Sequence, residues 1–331
     1  MIAINFVLQK KENFKMRAAI INQFGDPDVF EMTEIEKPVP NDDQVLIKVM
    51  AAGINPVDTK VRAGTSGMSK KLQFPAILGW DVSGIIESAG KNVTDYQPGN
   101  AVFGCIGFPG LGKAYAEYTV ADPALLARKP NNISFEEAAA VPIASLTAYQ
   151  VINEHLQVTS GQKILIQAAA GGVGHLAVQF AKLNGAFVSG TASEKNEQFL
   201  NKIGVDQFID YKKEKFEDHV NELDAVLDAM GGEVLYRSIR CVKRGGRAVC
   251  LPSSTKDDPK AIELAEQRDV KLIWPMMHTN GDEMRQIASF LQEKKLKIFV
   301  DKIFTLEQVS WAHKAVETHA TKGKVVLRIK D

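Results

Sequence analysis

The sequence predicts an α/β protein in which a doubly wound parallel sheet stands beside a β-rich unit. Three observations predict it. Residues 163–195 read KILIQAAAGGVGHLAVQFAKLNGAFVSGTASEK, which is a strand, a turn of small residues, a helix and a second strand. Apolar runs then keep alternating with helical periodicities to about Trp274. Repeated βα alternation means a parallel sheet covered on both faces. Before Asp122 the character differs, because prolines at 27, 38, 40, 56, 75, 98 and 109 rule out long helices.

Segments 16–22, 44–51, 82–88 and 115–120 read as strands of a compact β-rich unit. The opening MIAINFVLQKK places its lysines after its apolar stretch, the reverse of a signal peptide. Residues 1–15 thus read as an upstream extension or an added arm. Ser134-Phe-Glu-Glu137 is a helix start, with Ser134 as N-cap and Glu137 in the capping-box position. An alanine-rich helical stretch follows and is interrupted by Pro142. Strands are expected near 164–168, 186–191, 206–209, 224–228, 246–251 and 270–274. After Asn280-Gly281 come a helix at 282–293, a strand at 298–304, a helix at 306–318 and a last strand at 324–329.

The turn inside 163–195 is suited to a dinucleotide. Small residues let the backbone approach a pyrophosphate, and a helix N-terminus supplies free N–H groups and a positive dipole end. Ala169 stands where the first Gly of G-x-G-x-x-G would be, while Gly171 and Gly174 keep the other two places. The second strand ends Gly190-Thr-Ala-Ser193. These small neutral residues leave room for an adenosine 2′-phosphate, with Lys195 as its counter-charge. NADPH is therefore favoured. Glu194, read as the acid that holds a ribose hydroxyl, would instead favour NADH.

Bulk properties narrow the rest. The 331 residues favour two domains, and 45% of them are hydrophobic, enough for a large core. Lys+Arg and Asp+Glu both number 40, which argues against a nucleic-acid or anionic-membrane binder. Cys105, Cys241 and Cys250 form no even disulfide set and suit a reducing, cytoplasmic setting. No apolar run has membrane-spanning length. The six histidines make no i, i+4 pair that would prefigure a metal site.

Taken together, Gly53-Ile-Asn-Pro-Val-Asp58, Leu78-Gly-Trp-Asp-Val-Ser-Gly84, Tyr115-Ala-Glu-Tyr118, Leu146-Thr-Ala148, Ala168-Ala-Ala-Gly-Gly-Val-Gly174, Ile209-Asp-Tyr211 and Gly323-Lys-Val-Val-Leu327 resemble the zinc-independent medium-chain dehydrogenase/reductases. Within them they look like the quinone oxidoreductase, or zeta-crystallin-like, branch. The resemblance runs from Met16 to the C-terminus. It implies a GroES-like catalytic domain (residues 1–138 and 281–331) and a Rossmann-type cofactor domain (139–280), with the active site where they meet. It also implies a homodimer built through the Rossmann domain. Zinc-dependent relatives carry Cys where this chain has Asn55, and His-Glu where it has Trp80-Asp81. The resemblance therefore implies no zinc.

The same resemblance implies roles for particular residues. Asn55 would lie near the nicotinamide and the acceptor as a hydrogen-bond donor, whereas Asp58 reads as a turn stabiliser. Thr147 would lie near the nicotinamide and phosphates. Gly171, Gly172, Val173 and Gly174 would line the pyrophosphate. Ser193, Lys195 and Tyr211 would surround the 2′-phosphate, and Leu251 and Ser253 the nicotinamide ribose. Family members often carry tyrosines soon after the Asn-x-x-Asp turn, but this chain has Lys60 and Ser66 there. The implied reaction is hydride delivery to a small electrophilic acceptor, a quinone or conjugated carbonyl, with the proton coming from water. An enone or enoyl reductase on the same scaffold is the alternative. A non-catalytic NADPH-binding protein, crystallin-like or RNA-binding, is another.

Overall fold

The computed structural model describes residues 14–330, so the expected extension at 1–15 falls outside the described residues except for Phe14 and Lys15. β1 (Lys15–Ile21) and β2 (Phe30–Glu36) pair antiparallel over their whole length. Next come β3 (Val45–Ile54), α1 (Pro56–Arg62) and β4 (Ala76–Ile77), which adds to β1. β5 (Asp81–Ala89), β6 (Ala101–Cys105), β7 (Tyr118–Ala121) and β8 (Leu126–Arg128) complete this β-rich stretch. Its one α-helix is only 7 residues long, as the proline spacing requires.

The change at Ser134 occurs as the sequence predicts. The Ser134 hydroxyl accepts the Glu137 N–H at 3.1 Å, and the Glu137 carboxylate accepts the Ser134 N–H at 2.8 Å. That reciprocal pair starts α2 (Phe135–Ala139), and Pro142 at the first helical position starts α3 (Pro142–Gln150). The alternating region follows as β9 (Lys163–Ile166), α4 (Gly174–Leu183), β10 (Phe187–Ala192), α5 (Glu197–Ile203), β11 (Gln207–Asp210), β12 (Leu223–Asp228), α6 (Gly232–Cys241), β13 (Val242–Cys250), α7 (Pro259–Arg268) and β14 (Lys271–Ile273). The chain ends with α8 (Gly281–Gln292), β15 (Val300–Thr305), α9 (Val309–Glu317) and β16 (Lys324–Arg328).

β9 to β14 form one six-stranded parallel sheet in the order β11-β10-β9-β12-β13-β14. Numbered within the sheet this is 3-2-1-4-5-6, the doubly wound order of a Rossmann-type fold. Its strand order reverses between β9 and β12, and ligands of such sheets sit outside the carboxyl ends at that point. β3 is the hub of the other large sheet, pairing with β5, β7 and β16. Because β16 joins β3, the last strand of the chain returns to the first half. Gly53 of β3 allows this close packing, since a Cβ there would run into the Ala139 carbonyl oxygen and lie 2.9 Å from Asp81 Cβ.

His313 of α9 lies inside the β-rich unit, fully buried against Phe30 and Tyr115. Among the described residues neither ring nitrogen has a hydrogen-bond partner. Burial, with Arg62 nearby, pushes its pKa down from 6.5 to about 3. Below pH 6.5 the unfolded chain takes up a proton that the folded chain refuses, so this histidine costs stability as the pH falls. Replacing it with phenylalanine removes that liability. The loss of unfolding free energy between pH 7 and pH 5 should be about 2 kcal/mol smaller in His313→Phe than in the parent. Urea titrations at the two pH values check this.

Candidate functional site

The turn that leaves β9 runs from Gln167 to Val173 and ends at the N-terminus of α4. Its left-handed residue is Ala168, with φ 52°, one place before the Ala169 that stands for the first fingerprint glycine. A Cβ on Gly174 would strike the Ala168 carbonyl oxygen and lie 2.9 Å from Ala169 Cα. Glycine is thus required where the turn folds onto the helix. Gly171, Gly172 and Val173 are half-buried, so their backbone is reachable from outside. The buried His175 fixes the turn. Its Nδ1 donates to the Gly171 carbonyl at 2.8 Å, and its Nε2 accepts the Phe299 N–H at 3.4 Å. Both bonds need the neutral ring, and burial holds its pKa down at about 4.

The opposite wall of the junction comes from the β3–α1 corner. Asn55 caps α1 and is 3% exposed. Its amide orientation is unambiguous. Nδ2 donates to Asp81 Oδ2 at 2.9 Å, and Oδ1 accepts from Lys324 Nζ. The bond to Asp81 uses one of the two Nδ2 hydrogens. Asp81 Oδ1 also accepts the Ile143 N–H at 2.9 Å, at the start of α3. Lys324 Nζ reaches the Ile54 carbonyl at 3.0 Å and lies 3.7 Å from Asp81 Oδ2. Asp58 accepts the Asn55 N–H at 2.7 Å, so it does close the corner as expected. It is also fully buried, and burial drives its pKa up from 3.8 to about 7.

Lys324 ties the two walls together. A Cβ on Gly172 would lie 3.2 Å from its Cδ, and the Gly323 N–H donates to the Ala170 carbonyl at 2.9 Å. Asn55 and the glycine turn are therefore brought to one junction. Asp81 and Lys324 complete it, although neither was singled out in sequence as a site residue. The signal that could have found Lys324 is a lone lysine leading an apolar strand, Lys-Val-Val-Leu.

The remaining candidates are placed as follows. Thr147 is half-buried on α3, and its hydroxyl donates to the Ile143 carbonyl at 2.7 Å, the ordinary helix back-bond. Ser193 follows β10 and is nearly buried, while Lys195 is exposed two residues on. Tyr211 follows the neighbouring β11, 57% exposed, and its N–H donates to the Ala192 carbonyl. Glu194 is taken by Lys213 at 2.8 Å. Leu251 and Ser253 follow β13, with the Leu251 N–H bonded to the Asp228 carbonyl at 2.9 Å. Lys60 is half-buried on α1, and Ser66 caps the short turn after it by accepting the Met68 N–H.

A zinc ion does not fit the Asn55 corner. Its donors would be an amide and a carboxylate already bonded to Asn55 and Ile143, with a lysine beside them, whereas catalytic zinc needs about three free ligands. The Trp80 indole that replaces a ligand donates to the Gly110 carbonyl. Among the described residues, Glu154, His278 and Glu283 bring donor atoms within 4.8 Å of one another. The Glu283 oxygens there already accept from Gln150 and Asn280.

Two family models match the chain: "Alcohol dehydrogenase GroES-like domain" over residues 41–131 and "Zinc-binding dehydrogenase" over 203–327. A 2-methylene-furan-3-one reductase of Solanum lycopersicum is 34% identical, over 95% of this chain and 79% of its own. The quinone oxidoreductase structure from Coxiella burnetii is 38% identical with a TM-score of 0.90, covering 96% of this chain and 100% of that one. The Escherichia coli quinone oxidoreductase complexed with NADPH is 26% identical with a TM-score of 0.84, covering 95% and 100%. On the fold, the junction and these likenesses, the chain belongs to the quinone oxidoreductase-like branch of the medium-chain dehydrogenase/reductases.

Proposed function

We propose that the chain is an NADPH-dependent, zinc-independent reductase that delivers hydride to a quinone-like or conjugated carbonyl acceptor. The observation that carries this reading is the junction itself, where the glycine turn faces an amide locked by Asp81 and Lys324. Bound NADPH would supply the hydride. Gly171, Gly172, Val173 and Gly174 would hold its pyrophosphate, Thr147, Leu251 and Ser253 its nicotinamide half, and Ser193, Lys195 and Tyr211 its 2′-phosphate. Asn55, with its amide fixed, would donate its free N–H to the oxygen of the acceptor as negative charge develops there. An apolar acceptor of either class suits a site that offers one donor and no metal. The enone-reductase alternative is favoured by the likeness to the tomato 2-methylene-furan-3-one reductase, and the quinone reading by the Coxiella structure.

NADPH is preferred over NADH because Glu194 is occupied by Lys213, while Lys195 makes no ion pair among the described residues. Lys195→Ala should raise KM for NADPH about tenfold, about 1.4 kcal/mol, and leave NADH nearly unchanged. We place the domain boundaries near 138 and 280. A homodimer through the six-stranded sheet is supported by β14, which among the described residues pairs with β13 alone and is followed by Met276, 70% exposed. Three unpaired cysteines support a cytoplasmic setting. Among the described residues no helix is long and apolar enough to cross a membrane.

The test is the initial rate of NADPH and NADH oxidation with a small quinone and an α,β-unsaturated ketone, with and without chelator. NADPH-preferring turnover that chelator leaves intact is expected. Binding of NADPH without turnover of either acceptor would move the chain to the non-catalytic alternative.

A further inference from the structure

Asp58, Asp81 and Lys324 meet beneath Asn55 and are 0%, 0% and 4% exposed. Their charges do not balance. Two carboxylates face one ammonium, so the group carries one negative charge when both acids are ionised and none when one proton is held. Among the described residues the side chains packed against it bring no further charge, and His175 of α4, near Lys324, is held neutral by burial. The Cys105 thiol of β6 and the Tyr115 hydroxyl are both driven upward by burial and stay neutral at neutral pH. Arg62 of α1 is paired with Glu317 at 2.6 Å, and His313 beyond Tyr115 is neutral.

The two acids are not equivalent. Burial pushes both acids upward, but Asp81 has the Ile143 N–H, the Asn55 amide and Lys324 to favour its charge. Asp58 has the Asn55 N–H on Oδ2 and a weaker attraction from Lys324. The Tyr115 hydroxyl stands close enough to favour its charge, but among the described residues neither that hydroxyl nor Asp58 Oδ1 makes a hydrogen bond of ordinary geometry. Asp58 is therefore the member that holds the proton, consistent with its pKa of about 7.

The next step rests on the reading that a nicotinamide ring binds beside Asn55. Oxidation of that ring makes it cationic, and a cation favours the ionised form of a nearby acid. We propose that the Asp58–Asp81–Lys324 group holds one proton while the bound nicotinamide is reduced and releases it when the ring becomes cationic. The reaction stays balanced. The C–H bond of the dihydronicotinamide breaks and its electron pair leaves with the hydrogen to form a bond on the acceptor, which becomes an anion. The Asp58 O–H bond breaks, leaving a carboxylate, and its proton passes to solvent. The acceptor anion takes up one proton, so the net uptake is one per turnover. Asp58 regains its proton from water when the oxidised cofactor departs.

Proton counting tests this without turnover. The full-length protein is titrated calorimetrically at pH 7 with NADP⁺ and separately with NADPH, in buffers of different ionisation enthalpy. Both cofactors carry the same 2′-phosphate, so its protonation cancels in the comparison. NADP⁺ should release more protons than NADPH, about half a proton per site at pH 7, where the group is about half occupied, and approaching one at lower pH, where it is full with NADPH bound. The difference should vanish in Asp58→Asn. It should also vanish in Asp81→Asn, which leaves one carboxylate for one ammonium. Equal proton counts for the two cofactors in the parent protein would overturn the proposal, as would a difference that survives Asp58→Asn. Failure of both cofactors to bind would overturn the assignment of the cofactor site, and the proton proposal with it.

Discussion

Replacing Lys324 with methionine should lower the unfolding free energy by about 3–5 kcal/mol, the range expected when one partner is taken from a buried ion pair. Methionine fills much of the space of the lysine stem, so the loss comes from charge rather than from a cavity. Asp81 would stay buried with no cation within reach, and the Asn55 carbonyl oxygen would lose the ammonium that bonds it. The amide would then be free to turn over. The amide that the proposed donor role needs would no longer be fixed, and kcat should fall more than KM rises. The double variant Lys324→Met, Asp81→Asn separates the two effects. Removing both charges should restore most of the stability, because what costs energy is the unpaired carboxylate. Activity should stay low, because the amide is still unlocked. Urea titration and steady-state rates on the three variants read this. A Lys324→Met protein as stable as its parent would mean that Asp81 is not desolvated.

The second large effect is expected at Gly174. A single methyl there meets the Ala168 carbonyl oxygen and Ala169 Cα, both backbone atoms of the turn itself. Neither can rotate aside. The turn must open, and the N–H groups at the start of α4 move with it. NADPH should bind about 100-fold more weakly to Gly174→Ala, about 2.7 kcal/mol, with fold stability affected less than binding. Fluorescence titration of NADPH measures the first and thermal unfolding the second. Gly171→Ala makes a graded comparison, because a Cβ there lies 3.2 Å from the same carbonyl oxygen. It should lose less.

What could be read in the sequence was what is local. The Ser134–Glu137 box, the proline that restarts the helix at 142, the order of strands and helices to Trp274 and the glycine turn all depend on residues within one turn or one strand of each other. The structure shifts their ends by one to a few residues. Within the glycine turn, Ala169 holds the place of the first fingerprint glycine, and the left-handed residue is its neighbour Ala168. An alanine can take that conformation at modest cost, so spacing alone did not mark it.

The site was legible only in part, because its chemistry is not local. Asn55 was visible from its corner and its family motif, yet its partners Asp81 and Lys324 lie 26 and 269 residues away. No periodicity links such positions. Asp58 was legible as a turn residue and is one, through its bond to the Asn55 N–H. Its second property, a carboxyl enclosed with too few partners, depends on Tyr115 and Asp81 being folded over it. His175 was hidden for a similar reason. In sequence it is one more residue on the buried face of α4, and only the contacts to Gly171 and Phe299 show that it pins the turn.

The return of β16 to β3 has a kinetic consequence. Val325 pairs with Ile54 and Arg328 with Ala51, so this ladder must close across the entire six-stranded sheet. Loop closure over such a separation is slow, and the contacts that repay it form late. The six-stranded sheet is built from one continuous stretch and can form without waiting. The β-rich unit cannot finish until residues 324–328 arrive. Until then Asp81 has no cation, Asn55 no lock and the Ala170 carbonyl no partner from Gly323. During refolding, helical signal should therefore recover well before the ability to bind cofactor, and that ability should appear in a single step that coincides with docking of the last strand.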